Sequence, residues 1–406
     1  MTKYISIDAE TFLAGKDYPE PYGFQGQAPL NVCWAYAQEA RSGLFHAQFA
    51  YDTCRDLWLK ALRSQLTIVG QNIAFDMGVA MKHLDIPLGW VLDKYNRGQV
   101  RDTMVREVLL QTASGEMAVA GKKGIKTDLA TLTLKYLDKD VSADKGPDAW
   151  RMRYAELYDV PIADWETEAR EYPIQDVEDT LAIFHKQGED TISPDEINQT
   201  RSAFDLQLIS LWSPNVNGDN AEMFLMDHEH ELAKAKFNMQ VKGILRENGT
   251  LDKKKLQRYV ELDYESQGIP CPRTEHKTNP QIQVSKDALL GCKTPLLREW
   301  GEAQQSKKIM ESFAPSLRKA SGRQIQTRYN VLVSTGRTSS FGEANMQQQS
   351  KATGHRECFE PVDINNNVLV NMDFDSFELF GLAQTCLLYT SPSPRDATLS
   401  RMPSSA

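Results

Sequence analysis

The chain has 406 residues, of which 41% are hydrophobic and 25% charged, with a formal net charge of −9 at pH 7; that length accommodates two or three domains, each with its own core. No apolar run approaches the ~18 residues of a membrane span, and the start lacks the basic-then-apolar pattern of a signal peptide, so membrane insertion and secretion are not expected. Six cysteines are scattered without a Cys-x-x-Cys pair, which predicts reduced, mostly buried thiols in a cytoplasmic protein.

Lys3 to Thr11 alternates as a strand does, with Ile5 and Ile7 on one face and Asp8 and Glu10 side by side on the other. Leu66 to Val69 is a short apolar run ending at Gly70, and Ile73 to Leu84 has helical character. Asn72 and Asp76 are four apart, so a helix starting by Asn72 would carry both on one face of its first turn. Glu168 to His185 reads as a helix interrupted early by Pro173, and it places Tyr172 and Asp176 one turn apart. The acids that follow, Glu178 and Asp179, both read as surface.

Three acidic fragments therefore follow in order: Asp8-Ala9-Glu10, Asn72-x-x-x-Asp76 and Tyr172-x-x-x-Asp176. Four carboxylates are the equipment for holding two divalent ions about 3.5–4 Å apart, the arrangement that hydrolyses a phosphodiester. Taken singly, each fragment is more often a solvated pair than a metal site; their joint occurrence on plausible elements carries the weight. The set resembles the 3′→5′ exonuclease domain of the DEDD superfamily, in its tyrosine-containing subclass, over about residues 1–190. The resemblance implies a ribonuclease H-like α/β domain with a mixed sheet. It makes Asp8, Glu10, Asp76 and Asp176 ligands of two Mg2+ or Mn2+ ions, Tyr172 a positioner of the attacking water and Asn72 a contact to single-stranded 3′ ends. Asp102-Thr103-Met104 and Thr127 to Leu137 look like the family's intervening segments, with Leu129, Leu132 and Leu137 read as core.

Beyond a break at Gly188 to Pro194, Glu196 to Trp212, Ala221 to Val241 and Leu251 to Ser266 read as helices. A loop at Ser213 to Asn220 and a turn at Glu247-Asn248-Gly249 separate them, and a polar, Pro-rich connection runs from Gly268 to Asn279. The overall acidity hides a basic stretch: residues 293–356 hold 11 Lys/Arg against 4 Glu, a local balance of +7 that suits phosphate contact.

From Ser334 the chain reads Ser-Thr-Gly-Arg-Thr-Ser-Ser-Phe-Gly-Glu-Ala-Asn-Met-Gln-Gln, and from Met372 Met-Asp-Phe-Asp-Ser-Phe-Glu-Leu. These segments resemble the Thr-Gly-Arg stretch and first catalytic motif of family A DNA polymerases. Trp300 to Leu317 resembles that family's long thumb helix. The likeness implies an exonuclease domain at 1–190, a mainly helical thumb-like region at 191–320 and the start of an α+β palm at 321–385. It implies that Arg337, Asn345 and Gln347 touch primer–template, that Asp373 binds a polymerase metal, and that Glu378 is the steric gate against ribose. Phe380 departs from the family's usual arginine.

Neither a fingers helix nor a second palm aspartate follows Asp373, so the polymerase site is expected to be incomplete. Incoming dNTPs would then be used only by the full-length parent. A start directly on Asp8 resembles the compact replicative polymerases of viruses infecting bacteria, which implies the cytoplasm of a bacterial or virus-infected bacterial cell. Cys386 to Ala406 resembles a translated sequencing adapter; an ordinary Ser/Pro-rich disordered tail is the alternative. The expected function is a metal-dependent proofreading exonuclease acting in DNA replication. A catalytically silent DNA-binding fragment and a stand-alone RNA-trimming relative are the alternatives.

Overall fold

The computed structural model describes residues 3–13, 28–116, 126–141, 149–188, 194–275, 280–325, 327–333 and 337–370. Asp373, Glu378 and Phe380 lie outside the described residues, as does the adapter-like tail at 386–406.

The alternating segment forms strand β1 (Tyr4–Thr11), which pairs antiparallel with β2 (Asn31–Gln38); β2 in turn pairs antiparallel with β3 (Arg41–His46). Helix α1 (Tyr51–Arg63) leads to β4 (Thr67–Gly70), then α2 (Ile73–His83), α3 (Leu88–Asn96), β5 (Val100–Asp102) and α4 (Thr103–Ala113). Strands β4 and β5 run parallel to β1, giving the mixed sheet that the sequence led us to expect, in the order β3-β2-β1-β4-β5. Helices α5 (Leu129–Leu137) and α6 (Thr167–Lys186) follow.

Side chains alternate across a strand, and here both faces are apolar because helices cover both. Ile5, Ile7, Trp34 and Ile68 face Trp58 of α1 and Met77 of α2, whereas their neighbours Ala35 and Val69 face Val177, Leu181 and Phe184 of α6. Helix α7 (Pro194–Leu211) adds Phe204 and Leu208 to the first of these cores and packs against α2, where Gly78 leaves room for Gln207 and Leu211.

Strand β6 (Asn215–Val216) precedes a helical region: α8 (Gly218–Val241), α9 (Lys253–Ser266), α10 (Lys286–Leu290), α11 (Pro295–Lys308) and α12 (Ala314–Lys319). Leu232, Met239, Ile244, Val260, Leu297 and Trp300 form its core. The single helix expected from Trp300 to Leu317 contains a π turn at Ile309–Phe313. Pro315 cannot donate to the carbonyl four residues back, so the hydrogen-bond ladder shifts just before it.

Two short antiparallel pairs complete the unit that ends at Val362: β7 (Arg328–Asn330) with β8 (Ser339–Phe341), and β6 with β9 (Phe359–Glu360). Residues 363–370 belong to a second unit, in which Asp363 accepts the N–H groups of Asn365 and Asn366. The described cysteines are all free thiols: Cys33, Cys54, Cys292 and Cys358 are buried, and Cys271 is half-buried. Among the described residues no helix is long and apolar enough to cross a membrane.

The helical region is fastened by Asp263. Its buried carboxylate accepts the backbone N–H groups of Lys293 and Thr294, each at 2.8 Å, just ahead of α11, together with the Thr294 hydroxyl and the Gln267 amide. Burial alone would raise this carboxyl, but the donors outweigh burial and hold it below its ordinary value. A group depressed in this way stabilises the fold above its unfolded pKa of about 3.9, and the contribution is lost as pH falls through the folded value. Asp263→Asn should cost about 1–2 kcal/mol at pH 7. The Tm gap from wild type should close as the pH is taken below about 4; a gap unchanged under acid would refute this account.

Candidate functional site

The site begins on β1, the central strand, which carries Asp8 and Glu10 toward the side covered by α6. Between Glu10 and Thr11 the register against β2 slips, a bulge of the kind that re-aims a side chain. Asn31 holds it: this buried residue donates its amide to the Glu10 carbonyl at 3.1 Å and to the Cys33 carbonyl at 3.0 Å. Asp76, 2% exposed in the first turn of α2, accepts the backbone N–H of Ala9 at 3.0 Å. That bond ties α2 to the peptide between the two strand carboxylates. Burial raises the Asp76 carboxyl well above the usual range and the neighbouring Asp8 adds to it, while the Ala9 N–H pulls the other way.

Helix α6 supplies the rest. The Tyr172 phenol hydrogen-bonds to Asp176 one turn on, and burial, followed by Asp176, Glu10 and Asp8, pushes its ionisation far up. Tyr154 and Cys33 are likewise raised, first by burial and then by Glu10. Asp8 acts on both Asp76 and Tyr172, and Tyr172 also feels Glu10 and Asp176, so side chains from three separate elements are linked through Asp8 and Tyr172.

Carboxylate oxygens are the donors that hard divalent cations prefer, and the mutual repulsion recorded at Asp76 is what a cation would relieve. The residues fit such an ion in chemistry. Among the described residues, however, no three His, Cys, Asp or Glu side chains already stand as a metal-holding group.

Helix α6 runs unbroken through Pro173, contrary to the interruption expected. Proline cannot donate to the carbonyl of Ala169, four residues back; the Tyr154 hydroxyl does so instead, at 2.8 Å. Asp179 is a second correction. It is buried rather than on the surface, because Lys139 at 3.0 Å and Gln175 at 2.8 Å satisfy its carboxylate. Glu178 is exposed as expected and accepts the Ser42 hydroxyl at 2.6 Å.

Asn72 does not share a helical face with Asp76. It sits just outside α2 in the left-handed region, with φ of 60°, and is exposed, whereas Asp76 is buried. With Met104, Gln111, Gln207, Ser210 and Tyr329 it lines a cavity of about 280 Å³. Its backbone N–H is bonded to Asp102, a carboxylate that burial raises to about 6 against the pull of its backbone donors.

In the second half, Arg337 is exposed, and the side chains of Asn345 and Gln347 are held within their own segment. Ser340 donates to the Asn345 carboxamide, and Gln347 donates to the Thr338 hydroxyl at 2.8 Å. Within the basic stretch Lys307, Arg318, Lys319 and Arg323 have acidic partners in Glu311, Glu229 and Glu343, the last shared by Lys319 and Arg323.

No family profile and no curated protein matches the sequence. Among solved structures, the fold is similar to that of the POL domain of Pol1 from M. smegmatis, determined in complex with DNA primer-template and dNTP. The TM-score is 0.51 over 87% of this chain, at 15% identity. The chain spans about half, 54%, of that structure's length. At this identity the likeness is one of fold: the architecture is that of a DNA polymerase-like α/β protein.

Asn31 and Tyr154 escaped the sequence reading, and Asp102 entered it only as part of the Asp102-Thr103-Met104 segment, without a role of its own. Only Asp102 carries a local signal, as an aspartate immediately before a helix. Tyr154→Phe leaves the Ala169 carbonyl without its donor inside α6, and should destabilise the fold by about 1–3 kcal/mol. Chemical denaturation should show this as a lower midpoint with an unchanged slope; an unaltered midpoint would mean that the proline gap is satisfied in another way.

Proposed function

We propose that this chain is the 3′→5′ proofreading exonuclease part of a family A DNA-directed DNA polymerase, a nuclease acting in DNA replication. The observation that supports the proposal is the chain of contacts through Asp8 on β1, which acts on Asp76 of α2 and on Tyr172 of α6, with Glu10 and Asp176 also acting on that phenol. The polymerase-like fold supports the same parentage. On this reading residues 1–190 are a ribonuclease H-like exonuclease domain of the tyrosine-containing DEDD type. Residues 191–320 are thumb-like, and 321–385 begin a palm. The viral type, bacterial cytoplasm and non-native tail rest on the sequence resemblance alone, as do the polymerase roles of Asp373 and Glu378.

Asp8, Glu10, Asp76 and Asp176 would hold two divalent ions, Mg2+ or Mn2+. When bound, such ions stabilise the attacking and leaving oxygens of an in-line displacement. The chain's own groups do the positioning. Tyr172, kept protonated by its surroundings, has a hydroxyl with which to orient a water against the terminal phosphodiester, and Asp176 fixes that phenol. Asn72 presents a carboxamide to the strand, while Arg337, Asn345 and Gln347 would meet primer–template. Because phosphate contacts release counterions, DNA affinity should fall steeply with salt.

A second reading, a catalytically silent DNA-binding fragment, is favoured by one observation: no three-ligand metal group stands among the described residues. Degradation of 5′-labelled single-stranded DNA by the purified chain separates the two. A ladder shortening from the 3′ end with magnesium or manganese, absent with chelator and abolished by Asp8→Ala and by Asp176→Ala, is the expected result. Salt-dependent binding without cleavage would select the silent fragment, and cleavage surviving both substitutions would remove these residues from the site.

A further inference from the structure

We infer that Asp102 is a positioning residue for Asn72: one buried carboxylate caps two helices and so frees the Asn72 carboxamide for the nucleic-acid strand. The inference rests on the exonuclease reading for what Asn72 touches, but its geometry stands apart from that reading. An asparagine at the start of a helix ordinarily turns its side chain back to cap the first N–H groups. Asn72 makes no such bond. Its backbone instead occupies the left-handed region, and the residue is exposed and lines the cavity beside α4 and α7.

The capping is done from the neighbouring strand. Parallel pairing of β4 with β5 sets Gly70 opposite Asp102, bringing that carboxylate beside the turn from β4 into α2. Asp102 Oδ1 accepts Asn72 N–H at 3.1 Å and Oδ2 accepts Ile73 N–H at 3.0 Å. The same Oδ1 caps its own helix, α4, through Met104 N–H at 2.9 Å and Val105 N–H at 3.2 Å. Asp102 is 1% exposed, so it is placed to act through Asn72 rather than on a strand directly. Removing its bonds to α2 would let Asn72 reclaim the cap and withdraw its side chain.

Asp102→Ser separates the two tasks, because serine still caps its own helix but is too short to reach α2. Asp102→Asn keeps the length and one acceptor oxygen, and Asn72→Gly keeps the left-handed backbone while deleting the carboxamide. Affinity for 5′-fluorescein-labelled oligo(dT), measured by anisotropy in chelator, should fall roughly five- to tenfold in Asp102→Ser and Asn72→Gly alike, about the worth of one hydrogen bond. The double variant should be no weaker than either single, and Asp102→Asn should recover part of the loss. Thermal melts run alongside establish that each variant is folded.

Asp102→Ser binding as well as wild type would overturn the inference, as would losses that multiply in the double variant or an Asn72→Gly protein of undiminished affinity. The same proteins assayed with magnesium test the parent reading separately. If wild type fails to cleave, the exonuclease reading falls while the binding series still decides the role of Asp102.

Discussion

Crowding of like charge around one strand is the constraint on which the rest of the structure depends. Two carboxylates near 4 Å repel by about 4 kcal/mol at an effective dielectric of 20, and this site places Asp76 in a buried position next to Asp8. The fold offsets the repulsion with local donors. The Ala9 N–H points at Asp76, the Tyr172 phenol at Asp176, and Asn31 pins the backbone of β1 beside the bulge in β2. Such crowding costs stability, a feature that functional sites commonly carry and cores do not.

The supporting scaffold follows from that need. Strand β1 is central, so its carboxylates can be approached by α2 from one neighbour and by α6 across the sheet face. Helix α6 must be straight to set Tyr172 and Asp176 one turn apart beside the strand, although its sequence places Pro173 between them. Tyr154 resolves the conflict by donating to the carbonyl that the proline leaves behind. It also lies among the apolar side chains under the site, with Phe12, Val32 and Trp165. A single aromatic residue thus serves packing, helix continuity and the enclosure of the acidic cluster.

What the sequence disclosed was whatever rests on local periodicity. Alternation gave β1 with Ile5 and Ile7 inward, and the i, i+4 spacing placed Tyr172 against Asp176. The succession of helices after Pro194 came from the same patterns, whereas the mixed sheet was implied by the family resemblance. What it concealed depends on partners far along the chain. Asp179 looked like surface because its cation, Lys139, comes from a different segment 40 residues earlier. Asn72 looked helical because nothing nearby says that Asp102, 30 residues later, will take over its cap. Asn31 has no local pattern at all, since its role is fixed only by the bulge it bridges. The motif at Asp373 and Glu378 remains a sequence argument, for those positions fall outside the described residues.

Long-range capping is in fact the recurring device of this fold. Asp102 joins α2 to α4, and Asp263 reaches from α9 to the residues ahead of α11, each spending a carboxylate on backbone N–H groups of another element. Burial of the acid separates such fastening from surface pairing, and the same criterion divides the basic stretch. Arg323 grips Glu343 through two bonds, at 2.6 and 3.2 Å, with the Glu343 side chain only 8% exposed, so this arginine is committed to holding the chain before β7 to the loop after β8. Lys307 and Arg318 pair with exposed glutamates, contacts worth about 0–1 kcal/mol that a phosphate could displace at little cost. The local excess of positive charge is therefore not one uniform track. Its exposed members are available to a polyanion, and its half-buried member belongs to the architecture.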